Sequence, residues 1–501
     1  MTTKIHIASL YSDLADSMAK LRGNHARISR SRAIVDQALL DDKPLYGINT
    51  GFGALAEQRI PEDALGQLQK NLLLSHACGV GDPVPKEITS LMLQIKIHSL
   101  GIGQSGISEE TFCRLLAFED LGLVPWVPSR GSVGASGDLA PLAHMCLPLI
   151  GRGAFWSAQG DHKSPAAPRL REHGLEPVKL QAKDGLALIN GTQLMSAYGA
   201  CVLNRALSLQ KEADILAAMS LEALQGSAVP FDERIHLLRP HIGQRDAASN
   251  VRTLLKESEI LVSHRDCGKV QDPYCLRCVP QVHGASRDAL SYATRVVDTE
   301  LNSVTDNPLV FLDGDILSGG NFHGQPLALA LDFAAMALAE LGSISERRTY
   351  LLLQGHDGLP KLLMKDTGVN SGFMIPQYTA AALVSENKIL CHPACVDSIP
   401  TSLGQEDHVS MGAISALKLL SVLHNVEHVL AVELLTAAQA LDFRAPLKPG
   451  RGVELAHKAL RERVEYAHED YEVHNDLDLC TELLRSGELA QTVEREIGRL
   501  A

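Results

Sequence analysis

The chain has 501 residues, with 46 Lys and Arg against 59 Asp and Glu and a formal net charge of -13 at pH 7. This length can bury a large core without disulfides or metal, and the negative charge opposes binding to nucleic acid or to an anionic membrane surface. The same charge favours a small neutral or cationic ligand. Aromatic residues make up only 4% of the chain, too few for a typical β-sandwich or β-barrel, so we expect an all-α fold.

The N-terminal segment carries Asp13 and Asp16 where a signal peptide would need an unbroken apolar stretch, and it lacks the Arg-rich pattern of a transit peptide. We therefore expect a cytoplasmic protein. The longest apolar run, Pro326 to Ala339, is interrupted by Asp332 and is too short and too charged to span a bilayer. It is typical of a buried helix.

Long apolar patterns at helical spacing predict a helix bundle in the central part of the chain. They run over 193–225, 286–305 and 325–353, and a fourth pattern, from Ala413 to Leu441, contains no Gly or Pro. Helices this rich in Ala often pack against equivalent helices of other subunits, so we expect an oligomer.

We predict three portions within one functional unit. They are an N-terminal globular portion with the Gly-rich loops (1–184), a long central helix bundle (185–445) and a C-terminal helical tail (446–501). The segment from about 155 to 170 contains Gly, Pro and Ser, and we expect it to be a surface excursion.

Gly-rich and Asn-rich islands interrupt the helical patterns, and they are either plain connectors or loops shaped around a site. In chain order the islands are YGINTGFG (46–53), GSVGASGDLAP (131–141), INGTQ (189–193), TDNP (305–308), SGGNFHG (318–324) and GQEDH (404–408). For any one island alone, a connector is the commoner explanation.

The island at 131–141 has a composition that suits backbone cyclisation. The Gly137 amide nitrogen is unhindered and attacks the Ala135 carbonyl, while Ser136 supplies a hydroxyl that leaves from its β-carbon. Loss of two waters gives 4-methylideneimidazole-5-one, a strong neutral electrophile. The tripeptide alone is a weak signal, and an ordinary Gly-rich turn is the alternative. A phosphate-binding loop is excluded because no GxxxxGK(S/T) pattern follows.

From about Leu45 to about Pro446 these islands resemble, in the same order, those of the aromatic amino acid ammonia-lyase and aminomutase family, together with SHACGVG, QDPYCLRCVPQ and VDSIPTS. The resemblance implies an ammonia-lyase/fumarase-like superfamily architecture. It implies an electrophile formed from Ala135, Ser136 and Gly137, with no external cofactor. It also implies a homotetramer whose sites draw residues from several subunits.

The resemblance assigns catalytic roles to Tyr46, Asn190 and Tyr274 and a substrate-binding role to Arg277. Tyr46 corresponds to the base that removes the β-hydrogen, which requires its phenol to lose a proton in the closed site. Asn190 corresponds to a hydrogen-bonding partner of the electrophile, and Tyr274 to a second tyrosine near the site. Arg277 corresponds to the residue that holds the substrate carboxylate, and it shares a helical face with Tyr274 if that segment is helical. The alternatives are that Tyr46 and Asn190 are turn residues and that Arg277 forms a solvated ion pair.

Substrate choice rests on His76 and Glu406, which resemble the pair that meets the imidazole ring in the histidine branch of the family. Gln271 and Phe322 match positions that line the pocket. An imidazole and a carboxylate suit a ligand with ring N–H groups. We therefore predict elimination of ammonia from L-histidine to give trans-urocanate, with Glu406 counted among the catalytic residues. The alternatives are that His76 is a core histidine whose hydrogen bonds are made within the protein and that Glu406 is a solvated glutamate.

Two departures keep other activities open. Gly404 stands where the family often has Asn, and NFHG followed by Gln325 resembles the tyrosine branch, in which His76 would meet a ring hydroxyl. A tyrosine ammonia-lyase or aminomutase is therefore the alternative within the same chemistry. A structural or binding homologue that never forms the electrophile is the alternative outside it.

The ten cysteines are scattered and do not resemble a disulfide framework. Two clusters, CLRC at 275–278 near His283 and CHPAC at 391–395, would hold zinc only if the fold brought their ligands together. We predict no metal site, because small buried thiols are the commoner fate of cysteine. We assign no role to His283.

Overall fold

The computed structural model describes residues 3–40, 44–53, 57–135, 137–160, 162–265 and 268–501. Ser136, the central residue of the predicted electrophile, lies outside the described residues. The described chain is mostly helical, which confirms the predicted fold class.

The helices account for most of the described chain. In order they are α1 Leu10–Gly23, α2 Ala26–Leu40, α3 Leu65–His76, α4 Lys86–Gly101, α5 Glu109–Asp120, α6 Leu139–Cys146, α7 Ala166–Glu172, α8 Asp184–Ile189, α9 Gln193–Ala223, α10 Glu233–Leu237, α11 Ile242–Leu254, α12 Glu259–Ser263, α13 Tyr274–Arg277, α14 Val279–Leu301, α15 Gln325–Leu352, α16 Met374–Leu390, α17 Gly412–Asp442, α18 Arg451–Arg461, α19 His474–Arg485 and α20 Glu488–Ile497. Short 3-10 helices span Ile7–Ser9, Glu62–Ala64, Leu147–Ile150, Val229–Phe231, Lys361–Leu363 and Ser402–Gly404.

Short strands pair into antiparallel two-stranded sheets, β1 with β2, β3 with β4 and β5 with β6. The strands are β1 Val80–Pro83, β2 Pro128–Arg130, β3 Ala154–Trp156, β4 Lys163–Pro165, β5 Leu309–Val310 and β6 Ile316–Leu317. The predicted surface excursion at 155–170 is thus a hairpin that leads into α7. Phe155 of this hairpin is fully buried and packs edge to face on Phe118 at 5.2 Å, so the segment is tied to the core.

Helices α9, α15 and α17 begin and end within a few residues of the predicted bounds, whereas α14 begins well before the predicted position 286. Gly284 lies inside α14, where a Cβ atom would be 2.3 Å from the Gln244 backbone nitrogen. This glycine therefore serves close packing and does not end the helix. The α14 helix also ends earlier than predicted, because the Asn302 side chain donates to the Asp298 carbonyl at 2.7 Å.

The described chain forms two compact units, whose residues are divided as follows. Unit 1 comprises Met1–Cys201, Thr294–Asp332 and Pro393–Leu417, and unit 2 comprises Val202–Ala293, Phe333–His392 and Lys418–Ala501. The residues of α9, α14, α15 and α17 are shared between them. The functional division at 184 and 445 stays a prediction.

Small residues allow the long helices to approach closely in unit 1. A Cβ on Gly199 of α9 would lie 2.8 Å from Leu331 of α15 and 3.2 Å from Val297 of α14. The three helices therefore pack around one glycine, as expected for a bundle whose neighbouring helices are rich in small residues.

Unit 2 holds its long helices together with buried ion pairs. Arg348 of α15 donates to Glu433 of α17 at 2.5 and 2.7 Å, and both side chains are fully buried. His283 of α14 donates through Nδ1 to Asp214 of α9 at 2.7 Å. His283, to which the sequence assigned no role, therefore links two helices of the unit 2 core.

Two helices, α15 and α17, are long and apolar enough to cross a membrane by length and composition alone. In their most apolar stretches, 67% and 83% of the residues are buried inside the structure. Packing within the protein accounts for this composition. The run from Pro326 to Ala339 is a mostly buried helix, as predicted, but α15 continues beyond it to Leu352.

Candidate active site

The loop of the predicted electrophile follows β2 and precedes α6, in unit 1. Ala135 is buried, and Gly137 has a left-handed φ of 78°. A Cβ on Gly137 would lie 2.0 Å from the Gly191 carbonyl oxygen. Only glycine fits both the backbone conformation and the space. The loop is therefore crowded and glycine-dependent at the position where cyclisation is predicted.

A second loop packs on this segment. The Met411 N–H donates to the Val133 carbonyl at 2.9 Å, and the Ala135 side chain packs against Val409 and Met411. These contacts immobilise the backbone on the N-terminal side of the predicted ring. A fixed backbone holds the two reacting groups of a cyclisation close to each other and so lowers its entropic barrier.

Asn190 follows α8 and belongs to the same backbone cluster. The next residue, Gly191, accepts a hydrogen bond through its carbonyl from the Asp138 N–H at 2.7 Å. The Asn190 side chain donates through Nδ2 to the Asn307 carbonyl at 3.0 Å, whereas its Oδ1 is buried and has no hydrogen-bond partner among the described residues. An unpaired buried acceptor costs about 1–3 kcal/mol, so this oxygen suits a donor that arrives with a ligand or a ring.

Two buried charged residues that the motifs did not single out touch this cluster. Asp138 accepts a hydrogen bond through Oδ2 from the Met195 N–H at 3.0 Å, and burial raises its pKa to about 7. Lys96 donates through Nζ to the Asn190 carbonyl at 2.7 Å, and burial lowers its pKa to about 8. Single charged residues leave no periodic pattern. The position of Lys96 between two isoleucines was the one signal available.

A cavity of about 300 Å³ lies beside the electrophile loop in unit 1. Its lining includes Ala135 and Gly137 of the predicted electrophile and His76 and Glu406 of the predicted recognition pair. The other lining residues are Ser75, Cys78, Gly131, Ser132, Val133, Gly134, Leu139, Ala140 and Thr401. Residues that lie far apart in the sequence thus line one small cavity, large enough for an amino acid.

The imidazole of His76 is oriented by the end of α3. Because a carbonyl oxygen only accepts, Nδ1–H donates to the Leu72 carbonyl at 2.9 Å, which leaves Nε2 as an acceptor. Burial lowers the pKa of His76, although the Leu72 hydrogen bond and the charge of Glu406 oppose this effect. The ring is therefore neutral near pH 7 and offers an acceptor to a ligand N–H or O–H group.

Glu406 is held by a tight turn. The Thr401 hydroxyl donates to Glu406 Oε2 at 2.7 Å, and the Thr401 N–H donates to the Glu406 carbonyl at 2.9 Å. Ser402 in this turn lies close to the loop at 46–53, since a Cβ on Gly53 would be 2.7 Å from Ser402 Oγ. The turn thus positions the carboxylate and contacts the loop that carries Tyr46.

Tyr46 and Phe322 are half-buried in unit 1 loops. The Tyr46 hydroxyl accepts a hydrogen bond from the Gly53 N–H at 3.2 Å, and Phe322 lies in the loop before α15. Neither side chain lines the 300 Å³ cavity in the described part of the chain. The roles of both residues stay predictions.

Gln271, Tyr274 and Arg277 lie in unit 2 and are not part of the unit 1 cavity. The predicted helical pairing is confirmed, because Tyr274–Arg277 forms α13 and the Arg277 guanidinium lies 4.5 Å from the Tyr274 ring centroid. Arg277 Nε donates to the Asp272 carbonyl at 3.1 Å. Gln271 and Tyr274 are exposed, Tyr274 to 71%, which leaves this group accessible from outside the unit.

Neither predicted cysteine cluster brings three metal-donor atoms together within the described ranges. One such group lies elsewhere, formed by His25, Glu109 and Cys113. Hydrogen bonding accounts for its geometry, since His25 Nδ1 lies 3.1 Å from Glu109 Oε1 and 3.6 Å from Cys113 Sγ.

Comparison with known proteins agrees with the motifs and the fold. Residues 10–462 match the family model described as aromatic amino acid lyase. A histidine ammonia-lyase of Myxococcus xanthus is 52% identical over 470 residues, which are 93% of this chain and 92% of that protein. The crystal structure of a histidine ammonia-lyase from Trypanosoma cruzi is similar with a TM-score of 0.87 at 44% identity, covering 94% of this chain and 89% of that one.

A tyrosine aminomutase from Streptomyces globisporus is also similar, with a TM-score of 0.89 at 36% identity and 95% of each chain covered. The chain belongs to the aromatic amino acid lyase family. The family predicted from the ordered islands is thereby confirmed.

Proposed function

We propose that the protein is a histidine ammonia-lyase, which converts L-histidine to trans-urocanate and ammonia. The observation that carries this proposal is the cavity in which His76 and Glu406 lie together with Ala135 and Gly137. The relatives named histidine ammonia-lyase, which are 52% identical to this chain over most of its length, support the same reaction. We place the protein in the cytoplasm, where its net charge of -13 favours solubility.

The residues around the loop fit a 4-methylideneimidazole-5-one formed from Ala135, Ser136 and Gly137. Gly137 is held by Gly191 in a conformation open only to glycine, and Asn190 Oδ1 is buried and lacks a partner among the described residues. When present, this group supplies a neutral electrophile that activates the substrate for loss of its amine. No external cofactor or metal is needed for that chemistry.

The recognition pair would bind the imidazole side chain of histidine. Neutral His76 presents Nε2 as an acceptor, and the Glu406 carboxylate accepts hydrogen bonds in a partly buried site. An imidazole carries one or two N–H donors, depending on its protonation state. Two acceptors on one cavity wall therefore match this ring better than they match an apolar ring.

The remaining steps use residues that do not line the cavity. Tyr46 would remove the β-hydrogen, and Arg277 with Tyr274 would bind the substrate carboxylate through the planar guanidinium. Because Tyr274 is 71% exposed, we propose that the α13 pair completes the site of a neighbouring subunit in a homotetramer. An exposed apolar stripe on α15, formed by Leu329, Phe333 and Met336, favours such an assembly.

Complementation tests site sharing directly. Chains carrying Ser136→Ala and chains carrying Arg277→Ala are inactive alone and are then co-expressed. If the electrophile and Arg277 of one site come from different subunits, mixed oligomers recover about a quarter of the wild-type activity. Activity that stays at the level of the single variants would show that each site uses its own Arg277.

A tyrosine ammonia-lyase or aminomutase is the second candidate, because His76 Nε2 also suits a phenol hydroxyl and the Streptomyces aminomutase shares the fold. A catalytically inert homologue is the third. Purified protein is incubated with L-histidine, L-tyrosine and L-phenylalanine, and chromatography of the products with ultraviolet detection distinguishes the three candidates. We expect urocanate from histidine and no coumarate from tyrosine. Coumarate or β-tyrosine without urocanate would overturn the proposal, and no product at all would favour the inert homologue.

A further inference from the structure

Lys96 is a buried charge that the proposed reaction does not use. It lies in α4 between the buried Ile95 and Ile97, and it is only 2% exposed. Burying an ammonium group costs several kcal/mol unless strong hydrogen bonds replace its water. A lysine at this position therefore needs a specific partner.

The partners of Lys96 belong to the backbone beside the predicted electrophile. Nζ donates to the Asn190 carbonyl at 2.7 Å and lies 3.5 Å from Gln193 Oε1. Gln193 is itself fixed, because its Nε2 donates to Thr305 Oγ1 at 3.0 Å. Both acceptors of Lys96 are uncharged amide oxygens, so its charge polarises the Asn190 peptide instead of closing a salt bridge.

Charged groups surround Lys96 at longer range. Burial lowers its pKa to about 8, while Asp306, Cys146 and Asp138 raise it and Lys183 lowers it. Asp306 is already paired with Lys183 at 2.7 Å. The Lys96 ammonium is therefore partly compensated at a distance and is lost as the pH rises through about 8.

The Asn190 peptide connects Lys96 to the residues that react. The Gly191 carbonyl accepts the Asp138 N–H at 2.7 Å, and Gly137 and Gly191 form a parallel bridge. The Asn190 side chain is fixed on Asn307 through Nδ2. A shift of this peptide would move both the Asn190 amide and the support of Gly137.

We propose that Lys96 is a positioning residue, whose ammonium holds the Asn190–Gly191 peptide against Gly137 and Asp138 during turnover. This inference rests on the proposed function. Lys96 is not among the residues that line the cavity, and it acts through the Asn190 carbonyl. A lysine that only filled the core would be replaceable by an apolar side chain of similar length, such as methionine.

The test compares Lys96→Met, Lys96→Arg and the control Lys86→Met, which lies at the start of the same helix. Far-ultraviolet circular dichroism establishes folding, and intact-protein mass gives the fraction of chains that have lost two waters. We expect Lys96→Met to lower kcat per cyclised chain about 10- to 100-fold, since a charged hydrogen bond is lost, with KM changed less than about 3-fold. If Lys96→Met folded but kept its full, uncyclised mass, Lys96 would position the Asn190–Gly191 peptide at an earlier stage, during ring formation.

Lys96→Arg keeps the charge at every working pH. Wild-type kcat should fall as the pH rises through about 8, because the ammonium is lost. Lys96→Arg should keep most of the activity that Lys96→Met loses. In Lys96→Arg the alkaline fall in kcat should also move upward by at least about one pH unit. A wild-type turnover number in Lys96→Met, or an unchanged alkaline fall in Lys96→Arg, would overturn the inference. Wild-type protein that neither cyclises nor releases ammonia would overturn the proposed function instead.

Discussion

The buried charges beside the candidate site in unit 1 and the Arg348–Glu433 pair of unit 2 are satisfied in different ways. In unit 2, Arg348 donates twice to Glu433, which also accepts the Ser220 hydroxyl at 2.6 Å. In unit 1, Lys96 donates to a neutral carbonyl, and Asp138 Oδ1 has no hydrogen-bond partner in the described part of the chain. Burial leaves the pKa of Asp138 at about 7 and that of Lys96 at about 8. Groups with a pKa near neutral pH therefore lie beside the proposed reacting residues, whereas the Arg348–Glu433 pair of unit 2 has its hydrogen bonds satisfied.

Asp214 of unit 2 differs from Asp138 of unit 1 in the same way. Burial alone would raise its pKa, but Arg287 and His283 together lower it. The carboxylate accepts hydrogen bonds from His283 at 2.7 Å and from Asn250 at 2.8 Å. A buried acid with several donors stays charged, and one with few donors, such as Asp138, titrates near neutral pH.

The largest expected effect comes from removing the reacting hydroxyl of unit 1. Ser136→Ala leaves no group to eliminate, so we expect ammonia release from histidine to fall about 10³-fold or more. The thermal midpoint should stay near that of the wild type, because the unit 2 ion pairs are untouched. Ser164→Ala in β4, outside the cavity, is the control and should keep full activity. Substantial ammonia release by Ser136→Ala would contradict the assignment.

The matching change in unit 2 should affect stability and not chemistry. Arg348→Met leaves Glu433 charged, buried and without its main partner, so we expect a loss of about 3–5 kcal/mol in the free energy of unfolding, measured with urea. Arg234→Met is the control, since its partner Asp232 lies at the surface, and we expect no measurable change. If both variants unfolded at the same urea concentration, the Arg348 pair would not stabilise the core.

Substrate recognition in unit 1 can be tested without changing the shape of the cavity. Glu406→Gln keeps the size of the side chain and the acceptor oxygen but removes the charge. We expect kcat/KM for histidine to fall about 10- to 100-fold, because hydrogen bonds to a charged group are the stronger ones. Steady-state kinetics at pH 7 measures this, with intact mass to confirm ring formation. An unchanged kcat/KM would remove Glu406 from the recognition pair.

The smallest expected effect is a pH dependence of stability. The pKa of Asp138 rises from 3.8 to about 7 on folding, so its stabilising protonated form is complete below pH 4 and is lost as the pH rises through 7. Asp138→Asn is neutral at every pH. Between pH 5 and 7 we expect the wild type to lose about 1–2 kcal/mol more of unfolding free energy than Asp138→Asn. Parallel curves for the two proteins would show that Asp138 is already ionised.

The sequence predicted the long helices because their apolar patterns are long and regular. It misplaced the start of α14, which begins at Val279 and contains Gly284, a residue that serves close packing against Gln244. The hairpin at 154–165 was missed for a related reason. Its strands are only three residues long, so they carry no period-two pattern, and buried Phe155 fixes them through tertiary contact.

The site was predictable where residues lie in distinctive islands. His76, Ala135, Gly137 and Glu406 were predicted from motifs and line one cavity. Lys96 and other isolated buried charges were not predictable, because their importance comes from burial and from contacts with residues far away in the sequence. The roles proposed for Tyr46, Asn190, Phe322 and the α13 residues remain predictions.

Intact-protein mass spectrometry of purified, active enzyme tests the central claim most directly. Condensation of residues 135–137 removes two waters, so the account predicts a chain lighter than its sequence mass by that amount, with the difference located to the peptide that contains 135–137. A full sequence mass in protein that releases ammonia from histidine would contradict the account, because another group would then have to supply the electrophile.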